Sequence, residues 1–459
     1  MSLTSCSSEE VVANETENEV SDIKKVETLE KIEVQSNNIE TSEDDININI
    51  NIDIDIDDDF TIYTVTDIHY LSNSINDHGE AFQTMVESSD GRQVNYIDEI
   101  LEAFKYEVIK NEPDLLIVSG DLTHNGEKAS HLDVSEKLKE IEESGVEVLV
   151  IPGNHDINNP YAREFKEDKQ IKTDFITAEE FEEIYSEFGY SEAVYRDKNS
   201  LSYLTMPKED LWILMLDSSI YESNIVAPTT GGKFSQETMK WIKECGELAK
   251  ENNAQVVTSL HHNLYKHSDL LYNGFVIENA EEIVALFEEL NFKISLSGHI
   301  HIQDIMANEN KTVYDIVTSG FIVYPVQYGI LEYNKGDFLY RTKEVDVEKW
   351  AVDFEVDNQD LLNFKEYSRN NFYDKSYNQT LSALVENYNY DSKKAELMAN
   401  VMATLNVNYF GGTTNEVYDD IVTSVGYDLW TKSEDDFLKT YVLDMAEKNE
   451  YDYNYFDFR

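Results

Sequence analysis

Residues 146–156 read Val-Glu-Val-Leu-Val-Ile-Pro-Gly-Asn-His-Asp, an apolar run of strand length that stops at Pro152 and releases Gly153, Asn154, His155 and Asp156. A short run rich in β-branched residues reads as a buried strand. The same pattern recurs along the chain. Asp67 and His69 follow TIYTV, Gly120 and Asp121 follow DLLIVS, His261 and His262 follow QVVTSL, and Gly298, His299 and His301 follow KISLS. Strands that each release Asp, Asn or His at the carboxyl end gather those side chains at one sheet edge, where open α/β folds bind ligands.

Six of the ten histidines fall in these clusters. A single DxH or GD arises by chance, but five such clusters, each directly after a strand, point to one site. Residues two apart in an extended segment face the same side, so Asp67 can act with His69, and His299 with His301. Asp67, His69, Asp121, Asn154, His261, His299 and His301 form a donor set of oxygen and nitrogen without thiolate. That chemistry suits manganese, iron or zinc at a catalytic site. Seven donors exceed one tetrahedral ion and match two ions sharing a carboxylate. The remaining His78, His124, His131 and His267 are expected in solvent or loops.

Composition sets limits on partners. The 459 residues carry 92 acidic against 36 basic side chains, a formal charge of −56, which repels nucleic acid and anionic membranes. A nucleic-acid polymer is therefore not an expected partner. Cys6 and Cys245 are the only cysteines, too few for a disulfide framework, and no apolar run is long enough to span a bilayer. Leu3-Thr4-Ser5-Cys6 resembles a bacterial lipobox lacking its basic and apolar leader. A lipid anchor at Cys6 on an extracytoplasmic protein is the expectation, with a cytoplasmic location as the alternative.

Residues 1–59, with 18 acidic and 3 basic side chains, read as a disordered acidic tether. The Ile-Asn and Ile-Asp run at its end reads as an edge strand or as repeat expansion, and it lacks the glycine turn and final Glu of an EF-hand. From Phe60 to Val345 strands and helices alternate. Ile97, Leu101, Phe104 and Val108 share one helical face and Leu138 and Ile141 another, with Gly145 as a helix stop. Thr177 with Glu180 predicts a capping box, and Asn279 with Glu282 a similar one. Further strands are expected at LSYLTM, LWILML, DIVTS, YGILEY and DFLYRT. The fold class is α/β: two packed mixed β-sheets flanked by helices, an αββα sandwich. Residues 346–459 show helical spacing at Leu381, Leu384, Val385 and Tyr388 and at Leu397, Val401, Met402 and Leu405. They predict a smaller, all-helical C-terminal domain with a structural or capping role, or with a part in substrate access.

The DIH, GD, GNHD, HH and GHIH runs across residues 60–345 resemble, in order and content, the calcineurin-like metallophosphoesterases. GDLT, NGE and PGNHD are similar to class III cyclic-nucleotide phosphodiesterases and extracytoplasmic bacterial relatives with a helical C-terminal domain. The resemblance implies two metal ions, one held by Asp67, His69 and His301, the other by Asn154, His261 and His299, with Asp121 shared. It implies hydrolysis of a small phosphodiester, cyclic nucleotides foremost, by a metal-bridging hydroxide, with His155 facing the leaving oxygen. His262 is expected behind the ligand His261. Many members carry an Asp three residues after the shared Asp to orient the catalytic His; here that position is His124, a pocket or turn residue. His155 is thus oriented by another carboxylate such as Asp156, or by a neutral group. A phosphomonoesterase, another envelope phosphodiester hydrolase, or a lipoprotein that binds a phosphorylated ligand without turnover are the alternatives.

Overall fold

The computed structural model describes residues 59–388, 390–449 and 451–458; the lipobox-like start with Cys6, and the Ile-Asn run up to Asp58, lie outside them. The described chain begins with strand β1 (Asp59–Val65), then helices α1 (Glu80–Ser88) and α2 (Ile97–Asn111), β2 (Leu115–Ser119), α3 (Lys128–Glu143) and β3 (Glu147–Ile151). A hairpin, β4 (Arg163–Lys166) and β5 (Lys169–Lys172), and helix α4 (Ala178–Ile184) lead to β6 (Tyr195–Arg196), β7 (Tyr203–Thr205) and β8 (Leu211–Leu216). Next come α5 (Gln236–Glu251), β9 (Gln255–Leu260), α6 (Ala280–Leu290) and β10 (Ile294–Ser297). Strands β11 (Asp304–Ala307), β12 (Tyr314–Val317), β13 (Gln327–Asn334) and β14 (Asp337–Glu344) follow. The C-terminal region holds α7 (Val347–Asp353), α8 (Gln359–Leu362), α9 (Phe364–Glu386), α10 (Ser392–Phe410), α11 (Thr414–Val422), α12 (Val425–Thr431), α13 (Phe437–Met445) and β15 (Tyr455–Asp457).

Two mixed sheets result, ordered β15-β14-β13-β1-β2-β3 and β11-β12-β10-β9-β8-β7-β6. Within them β1, β2 and β3 are parallel, as are β8, β9, β10 and β12. The sheets meet face to face, β2 against β9 and β3 against β8. Strand β8 shows why its sequence is apolar throughout. Leu211, Ile213 and Met215 join the core between the sheets, whereas Trp212, Leu214 and Leu216 pack with Trp241, Ile242 and Phe287 of α5 and α6. Alternate residues face two buried environments, so alternation disappears from the sequence. On the outer face of the first sheet, Phe104 of α2 packs edge-on to Tyr328 of β13. The layers are helix, sheet, sheet, helix.

Local signals behave as their chemistry predicts, with instructive exceptions. Thr177 and Glu180 form the reciprocal capping box, and Gly145 follows α3 with φ of 103°. Asn279 sits at the start of α6 but does not cap it, because its amide exchanges hydrogen bonds with the backbone of Phe234. The C-terminal region is helical with one addition: β15 returns to pair antiparallel with β14. In α9 the buried stripe is Phe364, Ser368, Phe372, Ser376, Thr380 and Leu384, a four-residue step rich in small hydroxyl side chains that lets α10 approach closely. Of the residues that carry the helical spacing, Val385, Tyr388 and Leu397 are 38%, 38% and 40% exposed.

Of the histidines outside the clusters, His78 is exposed and His124 half-buried; His131 is buried within α3, contrary to expectation, and His267 lies in a loop as expected but is buried there. His131 bonds the Tyr185 hydroxyl (2.9 Å) and the Asp156 carbonyl (2.9 Å). His267 lies between Asp304 (2.7 Å) and Asp315 (3.1 Å). Burial opposes protonation of His267, but the two carboxylates outweigh it and raise its pKa from 6.5 to about 9. A raised folded-state pKa stabilises the fold fully below pH 6.5 and loses that contribution as pH climbs through about 9. The contribution is roughly 3 kcal/mol. Denaturant titrations of wild type and His267→Gln should differ most near pH 6.5 and converge toward pH 10; a difference constant with pH would disprove this.

Candidate metal centre

The five loops that leave β1, β2, β3, β9 and β10 meet over the carboxyl ends of those strands. Three overlapping groups of donors form there: Asp67 with His69 and the half-buried His301, Asp121 with His261 and His299, and between them His69 and Asp121 with His155. Asp121 Oδ2 lies 3.6 Å from His69 Nε2 and 3.4 Å from His261 Nε2, between the first two groups. His301 Nε2 is 3.1 Å from Asp67 Oδ1 and 3.2 Å from His69 Nε2. Asn154 Oδ1 stands 3.2 Å from His261 Nε2. All seven sequence-predicted donors are therefore brought together, and the arrangement could hold two cations.

Each donor is aimed by neighbours in other loops. Asp67 Oδ2 accepts from the His299 N–H (2.9 Å) and the Thr66 hydroxyl (2.9 Å), which leaves Oδ1 buried and facing the cluster. Asp121 Oδ1 accepts from the His155 N–H at 2.9 Å, which turns Oδ2 inward. His261 donates through Nδ1 to the Ser119 carbonyl (2.9 Å) and His299 through Nε2 to the Gly274 carbonyl (3.0 Å). These bonds fix the tautomers and direct the opposite ring nitrogen at the centre. A buried carboxylate oxygen 3.1 Å from His301 Nε2, with imidazole nitrogens converging beside it, is the donor set a cation requires.

The backbone is strained to achieve this. Asp67, His69, Asp121, His299 and His301 all adopt left-handed φ values, between 48° and 70°. Such conformations cost about 1 kcal/mol or more apiece outside glycine and cluster at functional sites. The motif glycines permit close approach. A Cβ on Gly298 would sit 2.0 Å from Thr66 Oγ1 and 2.7 Å from Asp67 Oδ2; one on Gly153 would sit 2.2 Å from Asp121 N and Oδ1. Gly298→Ala should cost about 3 kcal/mol in unfolding free energy and lower bound metal, measured by denaturation and elemental analysis. Wild-type stability and metal content in that variant would contradict the geometry.

Charge is arranged for cation binding. Burial opposes ionisation of Asp121, but His261, His155 and His69 override it and hold the carboxyl well below the usual range. For Asp67 burial again opposes ionisation, but His301 outweighs it and lowers the carboxyl from its usual value. Burial pushes His69 well below 6.5 and His299 down to about 3, so both present lone pairs at neutral pH. His261 is the exception: burial opposes its protonation, yet Asp121 and Asp67 raise it to about 9. A cation at His261 must displace that proton, so metal affinity strengthens as pH rises toward 9.

His155 stands at the rim, its Nε2 3.9 Å from Asp121 Oδ2 and its ring edge-on to His69. Its Nδ1 donates to the His124 carbonyl (2.8 Å) and also meets Asn125 Oδ1 (3.2 Å). Neutral oxygens therefore orient it. Asp156 does not: its carboxylate accepts from Gly153 N–H (2.8 Å), Thr123 N–H (3.0 Å), the Thr123 hydroxyl (2.9 Å) and Leu122 N–H (3.2 Å). It ties the GD loop to the GNHD loop, and burial, then Asp121, raises its pKa to about 6. The His124 side chain is absent from the cleft lining and turns its ring toward Phe165; only its carbonyl serves the site. His262 bonds the Ser218 hydroxyl (2.8 Å) and the Thr230 carbonyl (2.9 Å), so both its ring nitrogens are engaged beside the cluster.

The cleft above has Asp121, His155, His299 and His301 along its floor and Phe275, Phe372 and Phe410 in its wall. Phe372 and Phe410 come from α9 and α10 of the C-terminal region. Arg92 lines the same cleft. Neither Arg92 nor this wall carries a sequence signature, since nothing local marks a loop residue that distant helices will bring to a site.

Comparison with known proteins gives a consistent result. Residues 60–303 match the family model of the calcineurin-like phosphoesterases, and residues 346–452 that of the C-terminal domain of cyclic nucleotide phosphodiesterase. A probable cyclic nucleotide phosphodiesterase of Fibrobacter succinogenes is 28% identical over 233 residues, covering 49% of this chain and 73% of that protein. A probable glycerophosphodiester phosphodiesterase of Arcobacter nitrofigilis is 26% identical over 248 residues, covering 53% and 76%. A dimetal phosphatase from Danio rerio aligns structurally with a TM-score of 0.46 at 12% identity, covering 63% of this chain and 97% of that one.

Proposed function

This chain belongs to the calcineurin-like phosphoesterase family, and from that premise we propose that it hydrolyses small phosphodiesters, cyclic nucleotides foremost, with a pair of metal ions. The observation that carries the reading is the position of Asp121 Oδ2 between His69 and His261, at 3.6 and 3.4 Å. One carboxylate oxygen equidistant from two donor groups is what a shared ligand requires. Asp67, His69 and His301 would hold one ion, Asn154, His261 and His299 the other, and Asp121 both. The oxygen and nitrogen donor set suits manganese, iron or zinc. The phosphodiesterase names of the relatives and the C-terminal match support a diester over a monoester.

Metal ions held there would supply Lewis acidity to an attacking water and to the phosphoryl oxygens. The protein does the rest. Asp67 and Asp121 stay anionic to hold the cations, and the carbonyls of Ser119 and Gly274 keep His261 and His299 in the ligating tautomer. His155, with Nδ1 protonated against the His124 carbonyl, directs Nε2 into the cleft, where it can give a proton to the leaving oxygen. The apolar wall of Phe275, Phe372 and Phe410 limits water around the reacting ester.

The test is metal analysis together with turnover of bis-para-nitrophenyl phosphate, para-nitrophenyl phosphate and cyclic AMP in manganese. The reading requires metal bound at the cluster and diesters cleaved faster than the monoester. A faster monoester would make this a phosphomonoesterase; phosphate binding with no turnover of any ester would make it a binding protein.

A further inference from the structure

Arg92 is out of keeping with its surroundings. Acidic side chains outnumber basic ones 92 to 36 in this chain, yet no hydrogen bond or ion pair engages the Arg92 guanidinium among the described residues. The side chain is half-buried and lines the cleft with Asp121, His155 and His301. Its charge reaches His69 and His124, whose protonation it disfavours. The nearest acid in sequence, Asp90, also lines the cleft; its Oδ1 accepts from Gln379 Nε2 at 2.6 Å, and it makes no ion pair with Arg92 among the described residues. A guanidinium held beside a cation site without its own counter-ion is arranged for an external anion, and its planar fork matches two phosphate oxygens.

The turn that presents Arg92 is built against helix α9. Gly91, with φ of 87°, lies so close to Phe372 that a Cβ would fall 2.7 Å from its ring. On the same face of α9, Tyr367 accepts from Asn95 Nδ2 (3.2 Å), and Lys375 donates to the Glu87 carbonyl (2.7 Å). With Gln379 on Asp90, α9 grips the segment 87–95 over three turns.

We propose that Arg92 grips the phosphate of the bound substrate, and that α9 is the positioning element that holds it over the cluster. The proposal rests on the phosphodiester reading above and deepens it. It gives the C-terminal region a part in substrate binding. It also answers an electrostatic problem: a chain of charge −56 repels anionic substrates, and a local uncommitted cation at the mouth offsets that field.

The test uses full-length, manganese-loaded wild type, Arg92→Ala, Arg92→Lys and Gln379→Ala. Inorganic phosphate affinity is measured by calorimetry, and KM and kcat with bis-para-nitrophenyl phosphate. Arg92→Ala should weaken phosphate binding and raise KM by about 10- to 100-fold, the range for a lost hydrogen bond to a charged group, with metal content unchanged. Arg92→Lys should restore part of the loss, because it keeps charge without the fork. Gln379→Ala should shift the same constants in the same direction by less. Unchanged phosphate affinity in Arg92→Ala, or loss of metal from it, overturns the proposal. If wild type cleaves no diester, the functional reading fails while the phosphate titration still decides the role of Arg92; wild type that binds no phosphate overturns both.

Discussion

Asp121→Ala is expected to lower phosphodiester turnover by about 10³-fold or more, a loss of roughly 4 kcal/mol of transition-state stabilisation, and to reduce bound metal. The reason is geometric. Asp121 Oδ2 lies 3.6 Å from His69 Nε2 and 3.4 Å from His261 Nε2, so it faces both donor groups. Removing it strips an anion from both positions and leaves His69 and His261 directed at each other across an uncharged gap. The backbone amide of His155, which the other oxygen of Asp121 accepts from, loses its partner too. Elemental analysis beside steady-state kinetics checks this. Full metal content in Asp121→Ala would disprove the shared-ligand assignment, whatever the activity.

His155→Ala should separate metal binding from chemistry. Its ring nitrogens are occupied by the His124 carbonyl and by the approach to the cleft, so both ions should stay while turnover falls by about 10²- to 10⁴-fold. The loss should be smaller for an ester with a good leaving group such as para-nitrophenolate than for an alkoxide leaving group, since only the latter needs a proton. Asn125→Ala should reproduce a fraction of the effect by loosening the ring at Nδ1. Equal losses for both leaving groups would assign His155 to phosphate binding in place of proton transfer.

The layered fold and the convergence of the Asp, Asn and His side chains on one sheet edge were readable because both rest on local pattern. Each strand is a short apolar run, and each ligand follows one within a few residues. Four other features were not. What orients His155 is the carbonyl of His124, and every residue has a carbonyl, so side-chain identity at that position misdirects attention to Asp156. His131 and His267 look like surface histidines because their partners, Tyr185 and the pair Asp304 and Asp315, are far away in sequence. The α9 core stripe hides because Ser368, Ser376 and Thr380 are polar in composition but buried in place. Strand β15 hides because three residues carry too little periodicity to compete with the helices before them.

That last strand determines what kind of motion the cleft wall can make. The chain leaves the first sheet at the end of β14 and, after seven helices, comes back to the same edge as β15, where Leu339, Tyr340 and Arg341 pair with Asp457, Phe456 and Tyr455. Phe458 then enters the main core beside Tyr314. A body fastened at its entry and its exit to one edge of a sheet is a buckled strap rather than a flap on a single hinge. The wall that α9 presents to the cleft is thereby tied at both ends to the sheet whose strands β1, β2 and β3 carry three of the donor loops.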